Sequence, residues 1–177
     1  GELTFVPRYP LSAGMRYRAD VRLPSEEPFS KLFETPRADQ TPTTFVERIY
    51  PSTDMFPENQ LKLYIHFSAP MSRGEAYEHI HLLDANGQRV ERPFLELGEE
   101  LWDQEARRLT LFFDPGRIKS GLVPHNELGM PIEQGKSYTL AIDSEFHDAE
   151  RKLLKDPYTK SFRAGPADRK PLDLKAW

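Results

Sequence analysis

Three of the five histidines occupy positions from which their imidazole rings could meet at a metal ion. His79 and His81 lie two residues apart, so in a strand both side chains point to the same face. His66 points away from the apolar face of its own alternating segment. If the two strands are neighbours, three imidazoles converge as they do in zinc sites. No His-Glu-x-x-His spacing supports such a site, and an ordinary polar face is the alternative, so we expect no metal and no cofactor.

A second candidate is an acidic segment around a tryptophan. Trp102 is surrounded in the sequence by five carboxylates: Glu96, Glu99, Glu100, Asp103 and Glu105. A glycosidase needs two carboxylates held about 5–10 Å apart across a sugar, and an aromatic ring offers an apolar face on which a sugar can stack. Crowded acids in a loop are also typical of a solvated surface. We therefore take Trp102 and Asp103 as candidate ligand-binding residues and predict no catalytic role.

The triplet His125-Asn126-Glu127 lies in a long loop and supplies two further candidate ligand-binding residues, His125 and Glu127. A Ser-His-acid triad would need an activated serine, and the sequence has no Gly-x-Ser-x-Gly elbow. The chain has no cysteine, which excludes disulfides, thiolate metal ligands and a cysteine nucleophile. We therefore expect that the chain is not an enzyme.

The elements that position these residues are predicted to be short strands. Apolar and polar residues alternate with period two, as in half-buried strands, at 61–67, 109–113 and 138–142. Residues that favour turns separate these segments, at 84–87, 114–116 and 133–135. The first turn lacks the distal glutamate of a calcium loop, so we interpret it as a hairpin turn. Strands spaced in this way predict a β-sandwich or a barrel.

The composition also favours an all-β chain. The sequence holds 16 prolines in 177 residues, against ~5% in average proteins, and proline interrupts helices and central strands. Helical signals are weak and confined to 72–77 and 99–106. The net charge of −4 does not favour nucleic acid as a partner. No apolar run approaches the ~18 residues of a membrane-spanning helix, so we expect no membrane span.

One repeated pattern links the first residues to a later part of the sequence. An apolar segment, a proline, a glycine and a tyrosine-bearing segment recur in the same order, as Leu3, Pro10, Gly14 and Tyr17 and again as Leu109, Pro115, Gly135 and Tyr138. The two tyrosines are expected to be core or corner residues whose hydroxyls bond to the backbone. A repeated unit often indicates repeated domains, although two unrelated β-hairpins also produce this pattern.

Four segments follow from the repeat and from the distribution of prolines. Residues 1–23 are predicted to be the terminal hairpin of a preceding β domain, and 24–42 a proline-rich linker. Residues 43–165 are predicted to form the main domain, and 166–177 a polar tail or a linker to a further domain.

The central part of the sequence resembles a known family in several motifs. The strongest is Phe67-Ser68-Ala69-Pro70-Met71 at the end of an alternating segment; the others are 50–59, 80–87 with its Asp-x-x-Gly, and 135–148 with its Gly-x-x-Tyr. Together they resemble the bacterial immunoglobulin-like domains of surface-layer and other exported proteins, over about residues 45–163. The resemblance implies an all-β, immunoglobulin-like β-sandwich with spacer or adhesive roles and usually without catalysis.

The sequence departs from this family in two enlarged loops, 94–105 and 114–135. Ala149 and Glu150 also stand where the family tends to place glycine. Loops on a rigid scaffold often carry binding functions, so a function particular to this chain would lie there. Arg117 is expected to pair with Asp114 or Asp103 and so to hold the larger loop.

These observations favour a non-catalytic structural or protein-interaction module of an exported bacterial protein, located in the periplasm, at the cell surface or outside the cell. Its expected partners are other domains of the parent protein, with a protein or polysaccharide at the cell surface as further candidates. The alternative is a carbohydrate-binding module with Trp102, Tyr64 or Tyr77 as stacking platforms, or an accessory domain of an exported hydrolase. Exposure of these aromatic rings on one face would distinguish the two.

Overall fold

The computed structural model describes Thr4 and residues 6–23, 27–36 and 39–169. The chain forms two compact units, Gly1–Gln40 and Thr41–Trp177. Leu3 of the repeated pattern and residues 170–177 of the predicted tail lie outside the described residues.

The described residues of the first unit include a two-stranded antiparallel sheet. Strand β1 (Arg16–Val21) pairs with β2 (Phe29–Glu34), and the register places Tyr17 opposite Phe33 and Val21 opposite Phe29. Strand β2 therefore lies inside the segment that the prolines predict to be a linker. The strand that carries Tyr17, β1, pairs with β2, which follows it in the sequence. The hairpin of this unit therefore extends beyond the predicted bounds of 1–23.

Up to residue 169, where its described residues end, the second unit contains eight strands: β3 (Val46–Tyr50), β4 (Met55–Pro57), β5 (Lys62–Phe67), β6 (Ile80–Leu83), β7 (Leu101–Trp102), β8 (Arg108–Phe112), β9 (Ser137–Ile142) and β10 (Tyr158–Gly165). Three short helices lie between them: α1 (Ala76–His79), α2 (Pro115–Ile118) and α3 (Val123–Leu128). The three alternating segments of the sequence correspond to β5, β8 and β9.

The strands of the second unit form two four-stranded sheets, in the orders β3-β5-β8-β7 and β4-β10-β9-β6. All pairs are antiparallel except β4 with β10, which is parallel. The first two strands of this unit therefore lie at the edges of different sheets: β3 pairs with β5, and β4 pairs with β10. This is the strand arrangement of immunoglobulin domains, and the predicted immunoglobulin-like β-sandwich is confirmed.

The core lies between the two sheets and is built from the alternating positions of both. Leu63, Ile65 and Phe67 of β5 are each at most 1% exposed, and Leu140 and Ile142 of β9 are equally buried. Burial of one such side chain contributes roughly 1.5–3 kcal/mol. The neighbouring residues along each strand face away from this core, which is why the alternation in the sequence predicts these strands correctly.

One predicted helical turn is replaced by strand. Residues 99–106 contain β7, in which Trp102 pairs with Leu109 of β8. The indole ring packs at 5.7 Å from the Phe67 ring and at 6.3 Å from the Phe146 ring. Contact with the core, rather than helix propensity, decides the conformation of this segment. The other predicted turn, 72–77, lies just before and within α1.

The enlarged loop 114–135 folds around one arginine. Asp114 caps α2 by accepting a hydrogen bond from the Gly116 N–H at 2.8 Å. Arg117 is only 3% exposed and donates to five backbone carbonyls, those of Glu91, Arg92, Leu128, Gly129 and Met130. Arg117 does hold the loop, but with carbonyl oxygens in place of the expected Asp114 or Asp103 carboxylate. Burial lowers the pKa of Arg117, with Asp114 and Glu91 opposing that effect.

Within the described part of the chain, no helix has the length and apolar character needed to cross a membrane.

Candidate functional site

Glu75 stands at the centre of a half-buried group of polar side chains. It is the N-cap residue of α1, and its Oε1 accepts hydrogen bonds from Ser72 Oγ at 2.9 Å and from an Arg151 guanidinium nitrogen at 2.8 Å. Its Oε2 lies 2.9 Å from His147 Nδ1 and 3.8 Å from His79 Nε2. One carboxylate oxygen is therefore held by neighbours, and the other faces two imidazole rings.

The backbone brings His147 to Glu75 from a distant part of the sequence. His147 follows β9, and its carbonyl accepts a hydrogen bond from the Ser72 N–H at 3.0 Å. One residue further on, Asp148 forms a bridge with Met71, and the Ala149 N–H donates to the Pro70 carbonyl at 2.9 Å. The segment before α1 and the segment after β9 are thus hydrogen-bonded to each other next to the site.

His79 is placed by α1 and by an aromatic contact. One helical turn after Glu75, it presents Nε2 to the same carboxylate, because residues four apart lie on one face of a helix. Its ring stacks on Phe146, with centroids 5.4 Å apart and an interplanar angle of 20°. Phe146 is fully buried, so the ring of His79 rests on a rigid part of the core.

Glu75, His79 and His147 together form what we call the Glu75 cluster. One ligand atom from each lies within 4.8 Å of the other two. The side chains are 20%, 16% and 30% exposed, respectively, so solvent reaches the cluster. Two imidazole nitrogens and a carboxylate oxygen form a donor set that suits a transition-metal ion.

Within the Glu75 cluster, the surroundings of Glu75 favour the charged form of its carboxylate. Burial raises the pKa of Glu75, but hydrogen bonds from His147 and Ser72 and the charges of His147 and Arg151 outweigh it, so the pKa lies below its ordinary value. The carboxylate is therefore ionised at neutral pH and available as an acceptor or a ligand.

The structure does not bring the three sequence-predicted histidines together. His66 lies on β5, whereas His81 lies on β6 in the opposite sheet. The two strands are therefore not neighbours, as the prediction required them to be. His81 Nε2 lies 3.0 Å from Asp143 Oδ2. His79 has Glu75 and His147 as neighbours instead. The helical spacing of Glu75 and His79 was visible in the sequence, but nothing there indicated the approach of His147.

Trp102 and Asp103 take part in local structure. The Trp102 indole nitrogen donates to Glu100 Oε2 at 2.6 Å. Asp103 Oδ1 accepts hydrogen bonds from the N–H groups of Arg107 and Arg108, at 2.8 and 3.1 Å, and so closes the turn between β7 and β8. Trp102, Tyr64 and Tyr77 are all half-buried. A role of these rings in sugar binding stays a prediction.

His125 and Glu127 lie on α3, away from Trp102. His125 Nδ1 lies 2.6 Å from the Arg117 carbonyl oxygen, and Glu127 is exposed at a shallow hollow that Met130 and Lys136 also line. Trp102 pairs at the start of β8, whereas the loop that carries α3 follows the end of that strand. The four predicted ligand-binding residues therefore do not form one site, and a ligand at either pair stays a prediction.

The first unit presents a second candidate surface. One face of β1 carries Tyr17, Ala19 and Val21, and β2 adds Phe29 and Phe33. Together with residues before β1 these side chains line an open cleft of about 760 Å³. Phe29 is 51% exposed and Phe33 37% exposed. We call this surface the β1–β2 apolar face.

The hairpin of β1 and β2 has a counterpart inside the second unit, formed by β9 and β10. The Tyr17 hydroxyl accepts a hydrogen bond from the Ser12 N–H at 2.8 Å, and the Tyr138 hydroxyl accepts one from the Glu133 N–H at 3.0 Å. In both cases the donor lies five residues before the tyrosine. This contact is the tyrosine corner of immunoglobulin-like domains, and the expected hydroxyl–backbone bonds of both tyrosines are confirmed.

The two sheets of the second unit define an immunoglobulin-like module. Among solved structures, the chain is similar to native α2-macroglobulin of Escherichia coli determined by cryo-electron microscopy, with a TM-score of 0.42 and 14% identity over 70% of this chain and 6% of that one. It is also similar to the crystal structure of Escherichia coli α2-macroglobulin spanning domains MG0-NIE-MG1, with a TM-score of 0.42 and 13% identity. That match covers 70% of this chain and 32% of the other, so this chain spans a third or less of the chain in either structure. No protein-family model and no curated protein matches the sequence.

Proposed function

We propose that this chain is a non-catalytic segment of a series of immunoglobulin-like modules in an exported bacterial protein. In this proposal the second unit is one complete module, and the β1–β2 hairpin is the last hairpin of the module before it. The observation that carries the proposal is the match between β1–β2 and β9–β10, the final hairpin of the second unit. The main partners are then neighbouring domains of the same parent protein.

The turns before the two hairpins match in detail. Gly14 lies three residues before Tyr17 and has φ of 70°, and Gly135 lies three residues before Tyr138 and has φ of 87°. Such values favour glycine, because a Cβ atom is strained there. The backbone hydrogen bonds correspond as well: Thr35 N–H donates to the Met15 carbonyl, and Ala164 N–H donates to the Lys136 carbonyl.

The two hairpins also share their register and their aromatic pairs. Tyr17 is opposite Phe33, and Tyr138 is opposite Phe162. The ring centroids are 5.8 Å apart in both pairs, with interplanar angles of 23° and 26°. In the second strand of each hairpin, a lysine lies two residues before the phenylalanine and an aromatic residue lies four before it. These residues are Lys31 and Phe29 in β2, and Lys160 and Tyr158 in β10. Unrelated hairpins do not need to share this set of features.

The matched positions of the two hairpins differ in burial, because the first hairpin has no opposite sheet covering it among the described residues of its unit. In the second unit Tyr138 and Phe162 are 5% and 3% exposed, because the opposite sheet covers them. The equivalent Phe33 is 37% exposed. A two-stranded hairpin with an open apolar face is at best marginally stable in water. We infer that the opposite sheet of a preceding module covers the β1–β2 apolar face in the parent protein.

The export of the parent protein is inferred from the family resemblance. The strongest motif ends β5 and places Phe67 and Met71 in the core, at 1% and 2% exposed. In the family that these residues resemble, such modules act as spacers or as adhesive units outside the cytoplasm. A structural or protein-interaction role follows for this chain if the resemblance reflects common ancestry.

Amide hydrogen exchange tests the proposal directly. In the 177-residue chain, we expect the amides of β1 and β2 to exchange much faster than those of β9 and β10, since local opening of a half-covered hairpin is easy. In a longer form that includes the preceding ~100 residues of the parent protein, we expect β1 and β2 to become as protected as β9 and β10. Unchanged exchange in the longer form contradicts the proposal. Slow exchange of β1 and β2 in the 177-residue chain also contradicts it.

A further inference from the structure

We propose that the Glu75 cluster is a binding site for a divalent transition-metal ion, with Zn²⁺ as the ion its donor set fits best. The ligands are Glu75 Oε2, His79 Nε2 and His147 Nδ1. The proposal is independent of the arrangement of modules, because all three residues lie in the second unit. It assigns a binding site to residues whose side chains otherwise form only a hydrogen-bonded group.

The distances between the ligand atoms are close to those that a zinc ion requires. Zinc lies about 2.0–2.1 Å from nitrogen and oxygen ligands in a tetrahedral arrangement, which separates neighbouring ligand atoms by about 3.3 Å. Glu75 Oε2 lies 2.9 Å from His147 Nδ1 and 3.8 Å from His79 Nε2. The three atoms lie within 4.8 Å of one another. The two distances from Glu75 Oε2 lie on either side of the required spacing, and none of the three side chains is fully buried.

The cluster is held in place before any ion binds. Ser72 fixes Glu75 Oε1, and the stacking of His79 on Phe146 fixes that ring. The hydrogen bond from the Ser72 N–H to the His147 carbonyl joins the two segments. Since little side-chain entropy is lost on binding, such pre-organisation favours metal affinity.

The chemistry of the donors selects the class of ion. Imidazole nitrogen suits zinc, copper and nickel, whereas calcium and magnesium prefer oxygen ligands. In the absence of an ion, His147 Nδ1 donates to Glu75, so binding requires the tautomer of His147 that carries its proton on Nε2. The partial exposure of all three side chains lets water complete the coordination.

Arg151 opposes the ion and provides an independent test. Its guanidinium group contacts Glu75 Oε1 at 2.8 Å, and its side chain is 69% exposed. A positive charge so close to the ion weakens binding even when screened by solvent. Arg151→Gln is therefore expected to tighten zinc binding by about 2–5-fold, given the solvent screening. A merely structural role for the cluster predicts no such gain.

Isothermal titration calorimetry of the metal-free, untagged 177-residue chain tests the site. We expect Zn²⁺ to bind with one-to-one stoichiometry, and Mg²⁺ and Ca²⁺ to produce no binding heat. Glu75→Gln, His79→Gln and His147→Gln are each expected to weaken zinc binding by at least ~10-fold, as losses around a metal site do. Circular dichroism and urea unfolding of the metal-free variants verify that each one folds.

His81→Gln is the matched control. His81 also faces a carboxylate, with 3.0 Å between Nε2 and Asp143 Oδ2, and its side chain is 12% exposed. We expect this variant to bind Zn²⁺ as the unaltered chain does. The proposal is overturned if no zinc binding is detected, or if the folded double variant His79→Gln/His147→Gln binds zinc with unchanged affinity. Equal weakening by His81→Gln likewise overturns it, because binding is then not specific to the cluster.

Discussion

The carboxylate of Glu100 lies 2.6 Å from the indole nitrogen of Trp102 and accepts its hydrogen bond. The same carboxylate accepts hydrogen bonds from the N–H groups of Gly74 and Ala76, at 2.9 and 2.6 Å. One acidic side chain therefore joins the segment before β7 to the start of α1, next to the Glu75 cluster. The acidic loop around Trp102 has a structural task, which the sequence alone did not indicate.

Glu100→Ala is expected to destabilise the second unit by about 2–4 kcal/mol, because three donors in partly buried surroundings lose a charged acceptor. Urea unfolding followed by tryptophan fluorescence and circular dichroism measures the change. Trp102→Phe removes one donor but keeps most of the apolar contact, so its effect is expected to be smaller. A Glu100→Ala chain as stable as the unaltered one contradicts this role of Glu100.

Arg117→Met is expected to destabilise the second unit by about 3–5 kcal/mol, since several buried carbonyls lose their donors together. Arg117→Lys is expected to recover only part of the loss, because an ammonium group cannot reach carbonyls on opposite sides as a guanidinium does. The free energy of unfolding in urea measures both. The control is Arg163→Met, since Arg163 is exposed on β10; an equal loss there shows that the effect is not due to the loop.

Tyr138→Phe removes the hydroxyl of the tyrosine corner and leaves the Glu133 N–H without its acceptor. The expected loss of stability is about 1–1.5 kcal/mol, measured as the shift of the urea midpoint of the second unit. Tyr17→Phe makes the equivalent change in the first unit, and we expect it to leave that midpoint unchanged. Tyr158→Phe controls for loss of a hydroxyl from a half-buried tyrosine, and a loss as large as that of Tyr138→Phe argues against a special role of the corner.

Asp103 is expected to contribute to the acid sensitivity of the fold. Burial raises the pKa of Asp103. Hydrogen bonds from the Arg108 and Arg107 N–H groups and the charges of Arg108 and His66 lower the pKa by more than burial raises it, so the folded-state pKa lies below the ordinary value. The stabilisation is present above the pKa of the unfolded state, about 3.9, and is lost as the pH falls through the folded-state pKa.

Asp103→Asn should therefore reduce stability at pH 7 and make the free energy of unfolding less dependent on pH below about pH 4. Urea unfolding at a series of pH values measures this dependence. Asp156→Asn removes an exposed carboxylate and is the control. If the two variants keep identical pH profiles, Asp103 does not carry the effect.

Much of the fold was predictable because alternation of apolar residues reports which side of a strand is buried. The segments around Leu63, Leu111 and Leu140 were predicted as strands for that reason, and these residues lie in the core. The positions of Gly14, Tyr17, Gly135 and Tyr138 also predicted corner contacts, since the turn conformation and the hydroxyl bond depend on nearby residues. Strand β7 was missed because two residues are too few to show a period.

The sequence by itself determined strands β5, β8 and β9, the turn at 84–87 and the two tyrosine corners, which depend mainly on residues close in the chain. The tertiary structure alone decided which sheet each strand joined, since alternation does not specify a strand's neighbours. It therefore also separated His66 from His81 and brought His147 to Glu75, 72 positions away in the sequence. Such contacts depend on how the two sheets pack against each other, which no local pattern in the sequence encodes.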